Sequence, residues 1–125
     1  MRVLVCGSRT WTDARAIGAR LSRLPAGTTI IHGAARGADS LAGRAAARLR
    51  LPVEASPADW AGEGRAAGFL RNRRMLDTRP NLVLAFWDGR SRGTLDCVEE
   101  ATRRGIPVEI VLPGPGLPWS ATAHA

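Results

Sequence analysis

Short apolar runs rich in β-branched residues recur along the chain at Val3–Cys6, Thr29–His32, Pro52–Ala55, Asn81–Phe86 and Val108–Leu112. Between them, apolar positions return at helical spacing over Asp13–Leu24, Ala38–Leu49, Arg65–Asp77 and Thr94–Arg104. The strand-like runs are apolar almost throughout rather than at alternate positions. That is the pattern of strands covered on both faces of a parallel sheet. Joining them by right-handed crossovers predicts an α/β, Rossmann-like domain of three layers, α/β/α. We expect a parallel sheet of about five strands in the order 3-2-1-4-5, with a crevice between strands 1 and 4. No internal repeat is present. Residues 1–112 carry the whole pattern, and 113–125 read as a Pro/Gly-rich exposed tail that cannot continue the sheet.

In a sheet of this kind, ligands bind outside the carboxyl ends of the strands. The segments expected there are GSRTWTD (7–13), GAARGAD (33–39), SPADWAGEGR (56–65) and WDGRSRGT (87–94). They concentrate glycine and arginine, and Trp11, Trp60 and Trp87 also fall within them. Glycine lets backbone approach a ligand, arginine neutralises phosphate, and tryptophan stacks on a base. Together they point to a nucleotide or nucleotide-derived ligand.

Composition narrows the chemistry. With 125 residues, 45% of them hydrophobic, the chain is long enough for one domain with its own core. No run reaches the ~18–20 apolar residues of a membrane span. The apolar run after Met1 is too short for a signal peptide, so a cytoplasmic protein without a membrane partner is expected. The net charge of +7 favours an anionic ligand or a polyanionic partner, unless arginine simply fills the solvated faces. All 18 basic residues are arginine. Without lysine there is no Schiff-base or pyridoxal-phosphate chemistry and no Walker-A loop, and without tyrosine no phenol acts in a reaction. Cys6 and Cys97 have no metal-ligating companion at suitable spacing. Two reduced core cysteines, with no metal and no cofactor, are expected.

Each motif carries a competing structural reading. In the first loop, Gly7 and the N–H groups of Ser8 and Arg9 would face a phosphate, or the segment is a plain turn with Thr12 or Asp13 capping a helix. In the second, Gly33 and Gly37 open the backbone and Arg36 offers a charge. Asp39 suits any first helical turn; in an anion site it would serve by contacting a sugar hydroxyl or orienting Arg36. His32 ends a buried strand and reads as a core histidine rather than a base. On the helix over Arg65–Asp77, Gly68, Phe69, Met75 and Leu76 span one apolar arc, with Asn72 at its centre and Arg71 at its edge. A buried amide needs partners, so Asn72 clamps a neighbouring loop or contacts ligand, and Arg71 and Asn72 are favoured as site residues. Arg73 and Arg74 point toward solvent. Gly93-Thr94 opens a helix straight after strand 4 and is the best phosphate candidate. Asp96 follows two residues later and, taken alone, reads as an acidic residue near a helix start.

The ordered set GSRTW, IIHGAARGADSLA, DW followed by GRAAGFLRNRRM, AFWDG followed by GT, and a final GIPV resembles the YspA-like (cpYpsA-related) branch of the SLOG superfamily. This group shares a Rossmann-like fold with the lonely-guy phosphoribohydrolases and DNA processing protein A, and its members are thought to bind nucleotides or their derivatives. The resemblance covers about residues 2–111. It implies a site built from Gly7, Ser8, Arg9, Gly33, Arg36, Gly37, Asp39, Arg71, Asn72, Gly93 and Thr94. It also implies a homodimer. The phosphoribohydrolases carry a G-G-x-G-T-x-E-E segment and a catalytic arginine; here Gly93-Thr94 is kept, while Asp96 and Cys97 stand at the two carboxylate positions. The leading expectation is therefore a nucleotide-binding module that serves as a signal sensor. The alternatives are a phosphoribohydrolase-like N-glycosidase using Arg71 and Asp96, and a single-stranded nucleic-acid binder.

Overall fold

The computed structural model describes residues 1–114 and the backbone of 119–120. Its sheet runs β3-β2-β1-β4-β5-β6. The strands are β1 (Arg2–Gly7), β2 (Thr29–His32), β3 (Val53–Ala55), β4 (Leu82–Phe86), β5 (Val108–Val111) and β6 (Trp119–Ser120). The first five are parallel in the expected order. Central β1 sets Leu4 opposite Ile31 of β2 and Val5 opposite Leu84 of β4. The added strand is antiparallel, pairing Trp119 with Ile110. This corrects the expectation that nothing beyond Leu112 joins the sheet; the rest of the 115–125 segment lies outside the described residues.

The helices are α1 (Ala14–Leu21), α2 (Ala38–Arg48), α3 (Trp60–Glu63), α4 (Ala67–Asp77) and α5 (Arg92–Arg103). Strand alternation sorts the core into two layers, because successive side chains point to opposite faces. Val3, Val5, Ile30, Leu84 and Phe86 pack with Ile17 and Leu21 of α1 and Ala42, Ala45 and Ala46 of α2. Leu4, Cys6, Ile31, Val83 and Ala85 pack with Met75 and Leu76 of α4 and Cys97, Val98 and Ala101 of α5. Alanine at the α2 contact lets that helix lie close to the sheet. Trp11 seals the first layer, meeting Phe86 edge-on with ring centroids 5.5 Å apart.

Two local features depart from the pattern reading. Helix α3 is a single turn inside the segment expected to be loop. Asp59 caps it, its Oδ1 accepting from the Gly62 N–H at 2.9 Å, and a 3-10 turn over Gly64–Ala66 leads into α4. Phe69 does not join the buried arc of α4 but stands 41% exposed. Ala67, Asn72, Met75 and Leu76 form that buried face instead. None of the helices among the described residues is long and apolar enough to cross a membrane.

Candidate functional site

A cavity of about 420 Å³ opens over the carboxyl ends of β1 and β4. That is within the usual size range for small-molecule sites. Its floor is the end of β1, where Gly7 is required by contact: a Cβ there would stand 2.5 Å from both the Ala38 Cβ and the Phe86 carbonyl oxygen. The start of α2 therefore presses directly onto the strand end. Gly37, which precedes α2, has φ +73° and points at the carbonyl oxygens of Ser8 and Arg9.

Ser8 is a junction rather than a wall. Its N–H donates to the Phe86 carbonyl at 2.9 Å, and its own carbonyl accepts from Trp11 and Ala38 at 3.1 and 3.2 Å. Its hydroxyl accepts from the Asp88 N–H at 2.9 Å. The Ser8 N–H is thus committed within the protein and does not face the cavity.

Arg71, on α4, crosses from the helix to the β2–α2 loop. Its Nη1 donates to the Gly33 carbonyl at 2.5 Å and its Nε to Asn72 Oδ1 at 3.1 Å. Asn72 is buried and donates through Nδ2 to the Gly93 carbonyl at 3.0 Å and to Asp96 Oδ2 at 3.2 Å. The clamp and the candidate ligand contact read from the sequence are therefore compatible: Asn72 makes the clamp and also lines the cavity.

The β4–α5 loop is held by Asp88. Its Oδ1 accepts from the N–H groups of Arg90 and Ser91 at 2.8 and 2.9 Å, and its Oδ2 from the Thr10 hydroxyl at 3.3 Å. Those backbone donors hold its carboxyl low, at about 2. Helix α5 begins at Arg92, two residues before the Thr94 start expected from the sequence, with Ser91 as its cap. The Thr94 N–H donates to the Ser91 hydroxyl at 3.3 Å, and the two hydroxyls lie 2.9 Å apart.

Asp39 occupies the opposite wall. Its Oδ2 accepts from the Gly33 and Ala35 N–H groups at 3.1 and 3.3 Å. Burial raises its carboxyl to about 6 against the opposing pull of those N–H groups and of Arg71 and Arg9. His32 is buried behind this loop. The Ala34 N–H donates to its Nδ1 at 3.0 Å, and burial followed by the Arg71 charge lowers its pKa, which favours the neutral ring. Cys6 and Cys97 are free and buried; contact with the Cys97 thiol, then burial, pushes the Cys6 thiol well up.

Of the residues predicted for the site, Gly7, Arg9, Asp39, Arg71, Asn72, Gly93 and Thr94 line this cavity. Gly33 and Arg36 line an adjoining cavity of about 290 Å³, which also borders Arg9, Trp60 and Arg71. Ser8, Gly37 and Asp96 line neither. The Asp96 carboxylate instead pairs with Arg73 at 3.1 Å. The sequence reading of site residues passed over Arg65, Phe69, Asp88 and Arg90, all of which line the main cavity. Trp60, noted only as a loop aromatic, stands half-exposed at its edge with the Arg9 guanidinium 5.7 Å from its ring centroid. Among the described residues no cluster of histidine, cysteine and carboxylate side chains has the makings of a metal site.

The comparisons with known proteins agree with this architecture. A family model for the YspA, cpYpsA-related SLOG family (YAcAr) matches residues 1–62. The Gene 61 protein of Mycobacterium phage D29 is 43% identical over 116 residues, covering 86% of this chain and 93% of that protein. The crystal structure of DNA processing protein A from Streptococcus pneumoniae superposes with a TM-score of 0.77 over 93% of this chain at 22% identity. This chain spans 51% of that one, and at such identity the likeness establishes the shared Rossmann-like fold. With the phage protein matched over most of both chains and the family model over residues 1–62, the chain belongs to the YspA, cpYpsA-related SLOG family.

Proposed function

We propose that the cavity binds a nucleotide or a nucleotide-derived small molecule. The observation that carries this reading is the pairing of two kinds of surface in one cavity. Trp60 and Phe69 are partly exposed aromatic rings at its border, while Arg9, Arg65, Arg71 and Arg90 line it with positive charge. Rings of this kind stack on a base, and guanidinium groups take phosphate oxygens in a fork. The first turn of α5, with Gly93 on the cavity wall, adds backbone N–H groups at the positive end of a helix.

Binding without turnover is the better-supported form of this proposal. Asp96, the residue matching a carboxylate of the phosphoribohydrolase segment, is held by Arg73 and Asn72 outside the cavity. Cys97 occupies the other carboxylate position and is fully buried in the core.

A thermal-shift screen with nucleoside mono- and diphosphates, ADP-ribose and NAD tests the proposal. A ligand present at 100 times its Kd stabilises the fold by about 2.7 kcal/mol, a readily measured rise in Tm. If no nucleotide shifts melting while single-stranded DNA binds with a steep salt dependence, nucleic-acid binding replaces this reading. Release of free base from AMP, abolished by Asp96→Asn, would replace it with hydrolysis.

A further inference from the structure

Two carboxylates line the main cavity, and they are bonded very differently. Both oxygens of Asp88 are engaged, Oδ1 by the Arg90 and Ser91 N–H groups and Oδ2 by the Thr10 hydroxyl. Asp39 uses only one. Its Oδ2 takes the Gly33 and Ala35 N–H groups, while Oδ1 is buried and has no hydrogen-bond partner. The residue is 5% exposed and lines the cavity, so a donor for that oxygen has to come from the cavity side. A buried acceptor without a donor is costly, and more so when it is charged. The nearby guanidinium groups do not supply the missing bond. Arg71 directs its Nη1 to Gly33 and its Nε to Asn72, and Arg9 lies over Trp60.

A carboxylate at this wall repels phosphate and selects a neutral donor. Resting on the nucleotide reading above, we propose that Asp39 Oδ1 accepts a hydrogen bond from a sugar hydroxyl of the ligand, making the site selective for ribonucleotides over deoxyribonucleotides. The phosphate then belongs to the arginine-lined side of the cavity. The groups that face the Asp39 carboxyl are Cys6 from β1, Arg9 from the β1–α1 loop, Arg71 from α4, and the Gly33 and Ala35 N–H groups. Of these, only the carboxyl itself changes charge in the mildly acidic range, with its midpoint at about 6. A hydroxyl donor favours the ionised acceptor. The ribose preference is therefore full above that midpoint and shrinks as pH falls through it.

The test is calorimetric titration of AMP, 2′-deoxy-AMP and 3′-deoxy-AMP into the wild-type protein and Asp39→Asn. The variant's amide oxygen can keep the loop bonds to Gly33 and Ala35, but its second position offers a neutral N–H in place of an anionic acceptor. The wild type is expected to bind AMP about 10-fold or more tightly than at least one deoxy form near neutral pH. That ratio should narrow at about pH 5, and in Asp39→Asn it should be small and independent of pH. Equal binding of all three ligands by the wild type overturns the proposal while leaving the nucleotide reading standing. So does a ratio that is unchanged in the variant. If no nucleotide binds at any pH, the nucleotide reading itself fails. Should Asp39→Asn not fold, the pH dependence of the wild-type ratio decides the matter alone.

Discussion

Asn72 donates its side-chain amide to the Gly93 carbonyl at 3.0 Å, fastening the middle of α4 to the first turn of α5. The same amide group accepts from Arg71 and donates to Asp96, so one buried side chain joins three partners. Asn72→Ala should lower stability by about 1–3 kcal/mol, because it strands the buried polar ends of those bonds. Urea denaturation measures the loss. Asn72→Asp should be worse than Ala near neutral pH, since it sets a second carboxylate against Asp96.

Arg71 has two roles that different substitutions separate. Its Nη1 holds the Gly33 carbonyl and its remaining guanidinium borders both cavities. Arg71→Ala should abolish ligand binding with the fold retained by circular dichroism. Arg71→Lys keeps a charge but not the planar fork, so affinity should fall by about 10-fold or more. Undiminished binding by the Ala variant would show that the ligand sits elsewhere.

Asp39 also predicts a pH dependence of stability. Its carboxyl is raised to about 6 in the folded protein, above its value of about 4 in an unfolded chain. Between those values the folded state holds more protons, so this group's contribution to stability falls as pH rises through that window and levels off above it. The two values set a ceiling of about 3 kcal/mol on the effect. Asp39→Asn should therefore be the more stable protein at about pH 8, by about 1–2 kcal/mol, with the difference closing toward about pH 4. Parallel urea melts of the two proteins isolate this group from every other carboxylate. A constant difference across the range would refute it.

The glycines near the site should respond in opposite ways. Gly37→Ala forces a Cβ onto the carbonyl oxygens of Ser8 and Arg9 at φ +73°, and should cost more than about 2 kcal/mol. Gly93 lies in the first turn of α5 with ordinary φ, and a Cβ there meets nothing within 4 Å. Gly93→Ala should leave the fold unharmed or raise its stability by about 0.5–1 kcal/mol. If an anion rests against the α5 N-terminus, the same change should weaken binding several-fold. A paired measurement of Tm and Kd distinguishes the two effects.

The sheet was legible because its strands are buried on both faces, which leaves a continuous apolar record in the sequence. Crossover handedness then restricts the order. Boundaries failed where that record thins. Edge strand β3 is exposed along its length and starts at Val53, one residue after the Pro52 that the apolar pattern predicts. Helix α3 is too short to show a period, although Asp59 three residues before Gly62 is a visible capping signal. Phe69 lines the cavity rather than the core, and hydrophobicity alone cannot distinguish the two because it reports only a preference for burial. Strand-end loops located the candidate site to within a few residues. They could not show that Ser8 spends its backbone within the protein, because its N–H and carbonyl bond Phe86 and Ala38, which are distant in sequence. The Asp88 closure is local, to the N–H groups of Arg90 and Ser91, and is the kind of turn an Asp before Gly signals.

That Ser8 junction has a consequence for how the cavity meets a ligand. One residue ties the end of β4, the start of α2 and the β4–α5 loop to the β1–α1 turn through three hydrogen bonds, and a fourth, from Trp11, closes the turn itself. These walls are braced against one another instead of hanging as independent flaps. Recognition of the proposed ligand would therefore need little ordering of the backbone, leaving more of the contact energy available as affinity. The expected thermodynamic character is that of a preformed receptacle, with backbone positions nearly the same before and after the ligand arrives.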